Sequence, residues 1–158
     1  MTTKGRRKTL DPDFVLGAYR AGYFPMADSR TGGISWYSPD PRTIIPLDAF
    51  TISRSLRQVI RKQIFEIRVD TAFRGVIRSC ACREDTWISE EIIETYAALH
   101  SAGYAHSVES WLSNRLVGGL YGVGIGGAFF GESMFSAVSN ASNVALVHLV
   151  KILVRGGF

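Results

Sequence analysis

Cysteine is scarce in this chain. Its 158 residues carry two, Cys80 and Cys82. Two thiols so close together cannot build a disulfide framework, and no second CxC or matched histidine pair accompanies them, which argues against zinc. The expectation is reduced thiols in a cytoplasmic protein, one or both of them buried. No apolar run is long enough to cross a membrane. The most apolar stretch is interrupted by His148 and Lys151. The basic leader with Lys4, Arg6, Arg7 and Lys8 runs into Leu10-Asp11-Pro12-Asp13 and not into an apolar segment. It therefore reads as a solvated terminus rather than a secretory signal. No internal repeat, low-complexity tract, Walker loop or dinucleotide fingerprint is present. These absences exclude the disulfide scaffold, the membrane-spanning protein and the common nucleotide-binding enzymes.

What is present suits a folded domain. Hydrophobic residues make up 46% and charged residues 20%, close to the soluble globular average. At this length, one core is expected, with room for a small second lobe. We divide the chain into an N-terminal lobe at 1–62 and a larger domain at 63–158. The net charge of +4 permits a polyanionic partner without requiring one.

The stretch His106 to Phe158 organises the rest. Ser107 to Trp111 alternates as a strand, with a polar turn at Asn114-Arg115. Leu116 to Val123 and Ala128 to Phe135 read as two further strands, joined by a turn at Gly124 to Gly127. Such hairpins predict an antiparallel sheet. The helix that follows has Ser139 and Asn140 as its expected N-caps and Gly156 as its expected left-handed terminator. Val144, Leu146, Val147, Leu149, Val150, Leu153 and Val154 fill more than one face, so the helix should be well buried. Glycines 118, 119, 122, 124, 126 and 127 serve turns and packing, or let a ligand approach the backbone.

Earlier segments are plainer. Asp11-Pro12 starts a helix with Phe14, Val15, Ala18 and Tyr19 on one face, ended by Gly22. Tyr23 to Met26 is an aromatic corner, and Trp36 to Arg42 a rigid loop with two prolines. Ile44, Ile45 and Leu47 suggest a short edge strand. Ser53 caps a second helix, on which Arg54, Arg57 and Arg61 share a face with Lys62 beside them. Such a stripe is either a solvated face or a surface for a phosphate backbone. Phe65 to Val69 alternates as a strand, and Asp70-Thr71 is expected to cap a helix through Ile77. Cys80 to Asp85 reads as a loop. Ser89 with Glu90 and Glu91 starts another helix, ended by Gly103. His100 and His106 read as hydrogen-bonded structural histidines, because no nucleophile is paired with either.

Several of these stretches carry a resemblance. GESMFS at 131–136, AHSVE at 105–109, LVGGLYGV at 116–123, GYFPMA at 22–27, WYSPDPR at 36–42, ISRSL at 52–56, TWI at 86–88 and Tyr96 resemble the leucyl/phenylalanyl-tRNA–protein transferase family. The likeness covers almost all of the chain beyond the leader, in the family's order. It implies an α+β fold similar to the acetyltransferase-like (GNAT) superfold, an antiparallel or mixed sheet with packed helices. It also implies an aminoacyltransferase needing no cofactor and no metal. Such enzymes pass Leu, Phe or Met from aminoacyl-tRNA to the N-terminal Arg or Lys of a protein, marking it for degradation.

The same resemblance assigns roles. Met26, Trp36, Trp87, Tyr96 and Ser136 would contact the aminoacyl-tRNA end. Leu120, Phe130, Met134 and Leu146 would form the side-chain pocket, and Met134 is adaptable enough for both Leu and Phe. Arg54, Arg57, Arg61 and Lys62 would take tRNA phosphates. Glu132 would hold the acceptor's cation. Relatives continue past the glycine pair with a strand bearing Asp-x-Gln, assigned to catalysis. This chain ends at Phe158, so the expectation is a sheet lacking that strand. Relatives also carry Ser-Lys where this chain has Ser142-Asn143, and tryptophan where it has Met26. Two alternatives stand beside this reading. One is an acyl-CoA-dependent N-acetyltransferase, disfavoured because SAVSNASN stands where a glycine-rich pyrophosphate loop belongs. The other is a non-catalytic tRNA- or RNA-binding fragment.

Overall fold

The computed structural model describes residues 10–158, and the basic leader lies outside the described residues. The elements are α1 (Pro12–Arg20), β1 (Phe24–Ala27), β2 (Ile34–Tyr37), α2 (Arg54–Arg61), β3 (Glu66–Val69) and α3 (Phe73–Ala81). After them come α4 (Glu90–Ser101), β4 (Ala105–Leu112), β5 (Arg115–Ile125), β6 (Ala128–Ser136) and α5 (Ala141–Arg155). The fold is α+β. Strands β1 and β2 form one antiparallel hairpin, and β3-β4-β5-β6 form an antiparallel sheet in chain order.

Alternation along the strands gives the sheet two apolar faces, and helices cover both. On one side Tyr121 and Val123 meet Val15, Leu16 and Tyr19 of α1, Val76 and Ile77 of α3, and Ile92, Tyr96 and Leu99 of α4. On the other side Val108 and Leu120 meet Ala145, Leu149 and Leu153 of α5, while Val117 packs with Ala141, Val144 and the Leu56, Val59 and Ile60 face of α2. The first core therefore joins residues on both sides of position 62.

Local chemistry explains several boundaries. Asp11 accepts from the Asp13 N–H with Pro12 at the first helical position, and Ser89 accepts from the Ile92 N–H. Ser53 accepts from the Leu56 N–H in the same way. Other expectations need correction. Asn140 sits at φ 66° and makes no side-chain cap. Ser136 takes that duty: its Oγ accepts from the Ser142 N–H at 3.2 Å and donates to the Val138 carbonyl at 2.8 Å. At the other end of α5 the left-handed residue is Gly157 at φ 76°, whereas Gly156 is not left-handed. Residues 44–47 form no strand; Ile44 is 75% exposed, because Pro46 cannot donate to a ladder and no neighbouring strand is at hand. Pairing turns the aromatic corner and the start of the proline loop into the β1–β2 hairpin. Helix α3 runs through Cys80 to Ala81, where a loop was expected.

Asp70 does not cap α3. It lies at φ 58°, accepts from the Ser107 N–H at 2.8 Å, and pairs with His106 Nδ1 at 2.8 Å. The α3 N-terminus is held instead by Glu109, which is fully buried. Its carboxylate accepts from the Ala72 N–H at 2.7 Å, Ser107 Oγ at 2.9 Å, Trp111 Nε1 at 3.1 Å and the Thr71 hydroxyl. A carboxylate at that end also suits the helix dipole.

Close approach at Gly118 lets α5 lie on β5. A methyl there would sit 2.4 Å from the Ala141 Cβ and 2.9 Å from its carbonyl carbon. Gly118→Ala is expected to cost about 1–3 kcal/mol by overpacking. A lowered urea midpoint at constant slope would show it. An unchanged midpoint would mean that α5 and β5 do not meet this closely.

Candidate active site

Glu132 occupies an irregular place. Tyr121 pairs with Ser133 and Gly122 with Gly131, so Glu132 is the extra residue of a β-bulge in β6. A bulge breaks alternation and re-aims side chains. Here Ser133 stays beside Tyr121, Met134 points to the α5 side, and Glu132 points to the side of α1 and α4, where Tyr19 meets it. The Tyr19 hydroxyl donates to Glu132 Oε1 at 2.6 Å and lies 2.5 Å from the Tyr96 hydroxyl. Its single proton goes to the carboxylate, so Tyr96 donates to Tyr19.

The surroundings disfavour charge. Burial pushes the Glu132 carboxyl up to about 7, against the Tyr19 hydrogen bond and the charge of Arg42, which pull it down. Burial also holds the Tyr19, Tyr96 and Tyr121 phenols well above their usual range, and the Glu132 charge adds to the effect. All three stay neutral hydroxyls at ordinary pH. Arg42 lies over the rings of Phe24 and Phe130, at 5.4 and 5.3 Å, and donates to the Gly22 carbonyl. It thereby ties the hairpin to β6. The Tyr121 hydroxyl is buried with no partner among the described residues.

The apolar pocket residues divide between the two faces. Leu120, Met134 and Leu146 lie together on the α5 side, with Leu120 opposite Met134 in the ladder. Phe130 lies on the other side, its ring 5.2 Å from that of Tyr19. The aromatic ring that does join Leu120, Met134 and Leu146 is Phe129. The Phe-Phe pair hid this, because a one-residue difference along a strand changes faces. Gly122 makes room for Phe129: a methyl there would lie 2.5 Å from that ring and 2.2 Å from the Phe130 carbonyl oxygen.

The other sequence candidates fall in distinct places. Met26 and Trp36 lie on opposite faces of the β1–β2 hairpin, since Trp36 is paired with Pro25 and Met26 with Ser35. Trp36 packs on the core and makes an edge contact with Phe14. Trp87 is half-buried, and its carbonyl accepts from the Ala27 N–H at 3.0 Å. Tyr96 is fully enclosed. Its ring therefore has no face free for a base to stack on, and its hydroxyl is the part directed to the site. Ser136 is committed to the start of α5. Arg54, Arg57 and Arg61 line one surface groove of about 420 Å³ with Gln58, while Lys62 is the cap residue at the end of the helix. Arg57 also donates to the Ile52 carbonyl at 2.8 Å.

Cys80 and His100 have structural surroundings. Burial pushes the Cys80 thiol up to about 11, so it is no nucleophile at neutral pH. His100 bonds the Ala105 carbonyl at 2.8 Å and stacks on Phe73. Among the described residues no group of three acidic, histidine or cysteine side chains could hold a metal ion, and no helix is long and apolar enough to cross a membrane. Sequence reasoning missed Tyr19 and Arg42 as site residues. Tyr19 was legible only as part of an apolar face, and Arg42 only as the end of a proline loop.

Residues 44–158 match the family model described as leucyl/phenylalanyl-tRNA protein transferase, and residues 8–40 match the model of its N-terminal domain. The chain is 58% identical over 150 residues to the leucyl/phenylalanyl-tRNA–protein transferase of Gloeobacter violaceus, covering 95% of this chain and 78% of that one. It is 56% identical over 149 residues to the same-named protein of Salinibacter ruber, covering 94% and 66%. The corresponding protein of Herpetosiphon aurantiacus is 55% identical over 152 residues, covering 96% and 78%. The chain thus spans 66% to 78% of the length of these relatives.

Proposed function

The chain belongs to the leucyl/phenylalanyl-tRNA–protein transferase family, and from that premise we propose that it passes leucine, phenylalanine or methionine from the 3′ end of a tRNA to the N-terminal Arg or Lys of an acceptor protein. In that reaction the acceptor's neutral α-amine attacks the ester carbonyl. The peptide C–N bond forms, the ester C–O bond breaks, and the tRNA 3′ hydroxyl leaves with a proton. The ester is already activated, and an α-amine with a pKa near ~8 is partly neutral at pH 7. Holding the two partners in line therefore supplies much of the acceleration.

The observation that carries this reading is the bulge. It sets a carboxylate on one side of β6 and leaves an apolar cluster on the other. Glu132 then takes the acceptor's guanidinium or ammonium, as charge pairing requires of an anion in a desolvated place. Leu120, Phe129, Met134 and Leu146 take the apolar side chain of the incoming amino acid, which in Leu, Phe and Met alike is unbranched at Cβ. Trp87 takes the terminal adenosine, and Arg54, Arg57 and Arg61 take backbone phosphates farther along the tRNA. The segment before residue 62 carries the phosphate contacts together with Tyr19, and the segment after it carries Trp87, Glu132 and the apolar cluster. Three antiparallel strands leading into α5 fit an acetyltransferase-like architecture. The enzyme acts in the cytoplasm, and its products carry an N-terminus that marks them for degradation.

Transfer of radiolabelled leucine from leucyl-tRNA to a protein with N-terminal arginine tests the proposal. Incorporated label supports it. Retained tRNA binding with no incorporation would replace it with the RNA-binding reading. The basic groove carries its own prediction. Affinity for tRNA is expected to fall linearly with log salt, and Arg54→Ala or Arg61→Ala to lower that slope by about one each. Filter binding from low to physiological salt measures this, and unchanged slopes would remove the groove from the tRNA path.

A further inference from the structure

We propose that Tyr19 is the positioning residue for Glu132, fixing one carboxylate oxygen so that the other meets the acceptor's cation; this rests on the transferase reading above. Glu132 sits in a bulge and therefore lacks a directly opposite residue whose side chain would brace it. What braces it comes from two helices. Tyr19 of α1 donates to Oε1 at 2.6 Å, and Tyr96 of α4 stands 2.5 Å behind it. Both rings are locked. Tyr96 meets Tyr121 edge-on with centroids 5.8 Å apart, and Tyr19 packs against Phe130. Tyr19 and Tyr96 are at most 2% exposed, so no water competes for the bond. Donors in a chain polarise one another, which strengthens the last bond to the carboxylate. Among the described residues no hydrogen bond and no ion pair within 4.0 Å engages Oε2. A carboxylate fastened by one oxygen presents the other in a fixed direction, as a guanidinium or ammonium donor needs. Tyr19 thus links the helix that opens the described chain to a carboxylate more than a hundred residues later (|i−j| = 113).

Tyr19→Phe removes one hydroxyl and keeps the ring. It is expected to raise the KM for an N-terminal arginine acceptor by about 10-fold or more, the usual weight of a hydrogen bond to a charged group. The kcat and the KM for leucyl-tRNA should change less than about threefold. Tyr96→Phe leaves the Tyr19–Glu132 bond but removes its polarising donor, and should raise the acceptor KM about threefold. The double variant should be no worse than Tyr19→Phe alone, because Tyr96 acts only through Tyr19. A simple packing role would lower kcat and raise both KM values together, with additive losses in the double variant, and that pattern would overturn the inference. Should Tyr19→Phe not fold, an unchanged acceptor KM in Tyr96→Phe would also overturn it. A wild-type chain that transfers leucine, with Tyr19→Phe equal to it, would sink this inference and leave the transferase reading standing. No transfer by the wild type would sink both.

Discussion

Glu132→Gln is expected to lower kcat/KM for an acceptor with N-terminal arginine by about 10- to 150-fold, the weight of one hydrogen-bonded charge contact of roughly 1.5–3 kcal/mol. Glutamine keeps the shape and can still accept from Tyr19, so the loss isolates the charge. The ratio of wild-type to variant rates should depend on pH in a defined way. The carboxyl titrates at about 7 because burial outweighs the Tyr19 bond and the Arg42 charge. The ratio should therefore be small at pH 5.5 and grow as pH rises through about 7. The acceptor amine titrates near ~8 in both proteins, and its contribution cancels in the ratio. Stability should move the other way. The folded value lies above the ordinary carboxyl value of 4.5, so the folded state binds more protons than the unfolded chain in that interval. Stability from this group is full below about 4.5 and is lost as pH rises to about 7. Glu132→Gln should abolish that decline. The buried neighbours Tyr19, Tyr96 and Tyr121 stay neutral across this window and do not contribute to it. A rate ratio flat from pH 5.5 to 8.5 would show that Glu132 does not hold the cation.

The second large effect concerns folding. Glu109→Leu is expected to destabilise by about 3–5 kcal/mol, comparable with breaking a buried ionic contact. The reason is what remains behind. The Ala72 N–H, Thr71 and Ser107 hydroxyls and Trp111 indole N–H would lose their shared acceptor, and of these the Ser107 hydroxyl is fully buried. The N-terminus of α3 would also lose its counter-charge. Glu109→Gln should cost less than Leu, because one oxygen survives as an acceptor while the new amide faces donors. Urea denaturation at pH 7.5 measures both. A loss below about 1 kcal/mol for Glu109→Leu would mean that these donors find other partners.

These two glutamates show how far the sequence could be read. Both are acidic residues in apolar strands. Glu132 was legible as unusual because it stands between glycine and serine in GESMFS. Glu109 is visible in the sequence only as the last residue of AHSVE, because its four donors come together only when β4 packs on α3. His100 and His106 are hydrogen-bonded as expected, His100 to the nearby Ala105 carbonyl and His106 to the more distant Asp70, and Cys80 is the buried one of the two thiols.

Composition and pattern by themselves determined a good deal. Period-two runs and glycine turns located β3 to β6, and capping chemistry located α1, α2 and α4. The motifs located the family. Tertiary structure decided the rest, and the physical reason is one of register and reach. A bulge shifts which face a side chain takes, so the choice between Phe129 and Phe130, and the direction of Glu132, depend on how β6 pairs with β5. A helix start can be held from the end of the preceding strand or from a strand far along the chain, so Ser136 displaces Asn140 and Glu109 displaces Asp70. Contacts such as Tyr19 with Glu132 join residues far apart in the chain, and no local spacing encodes them.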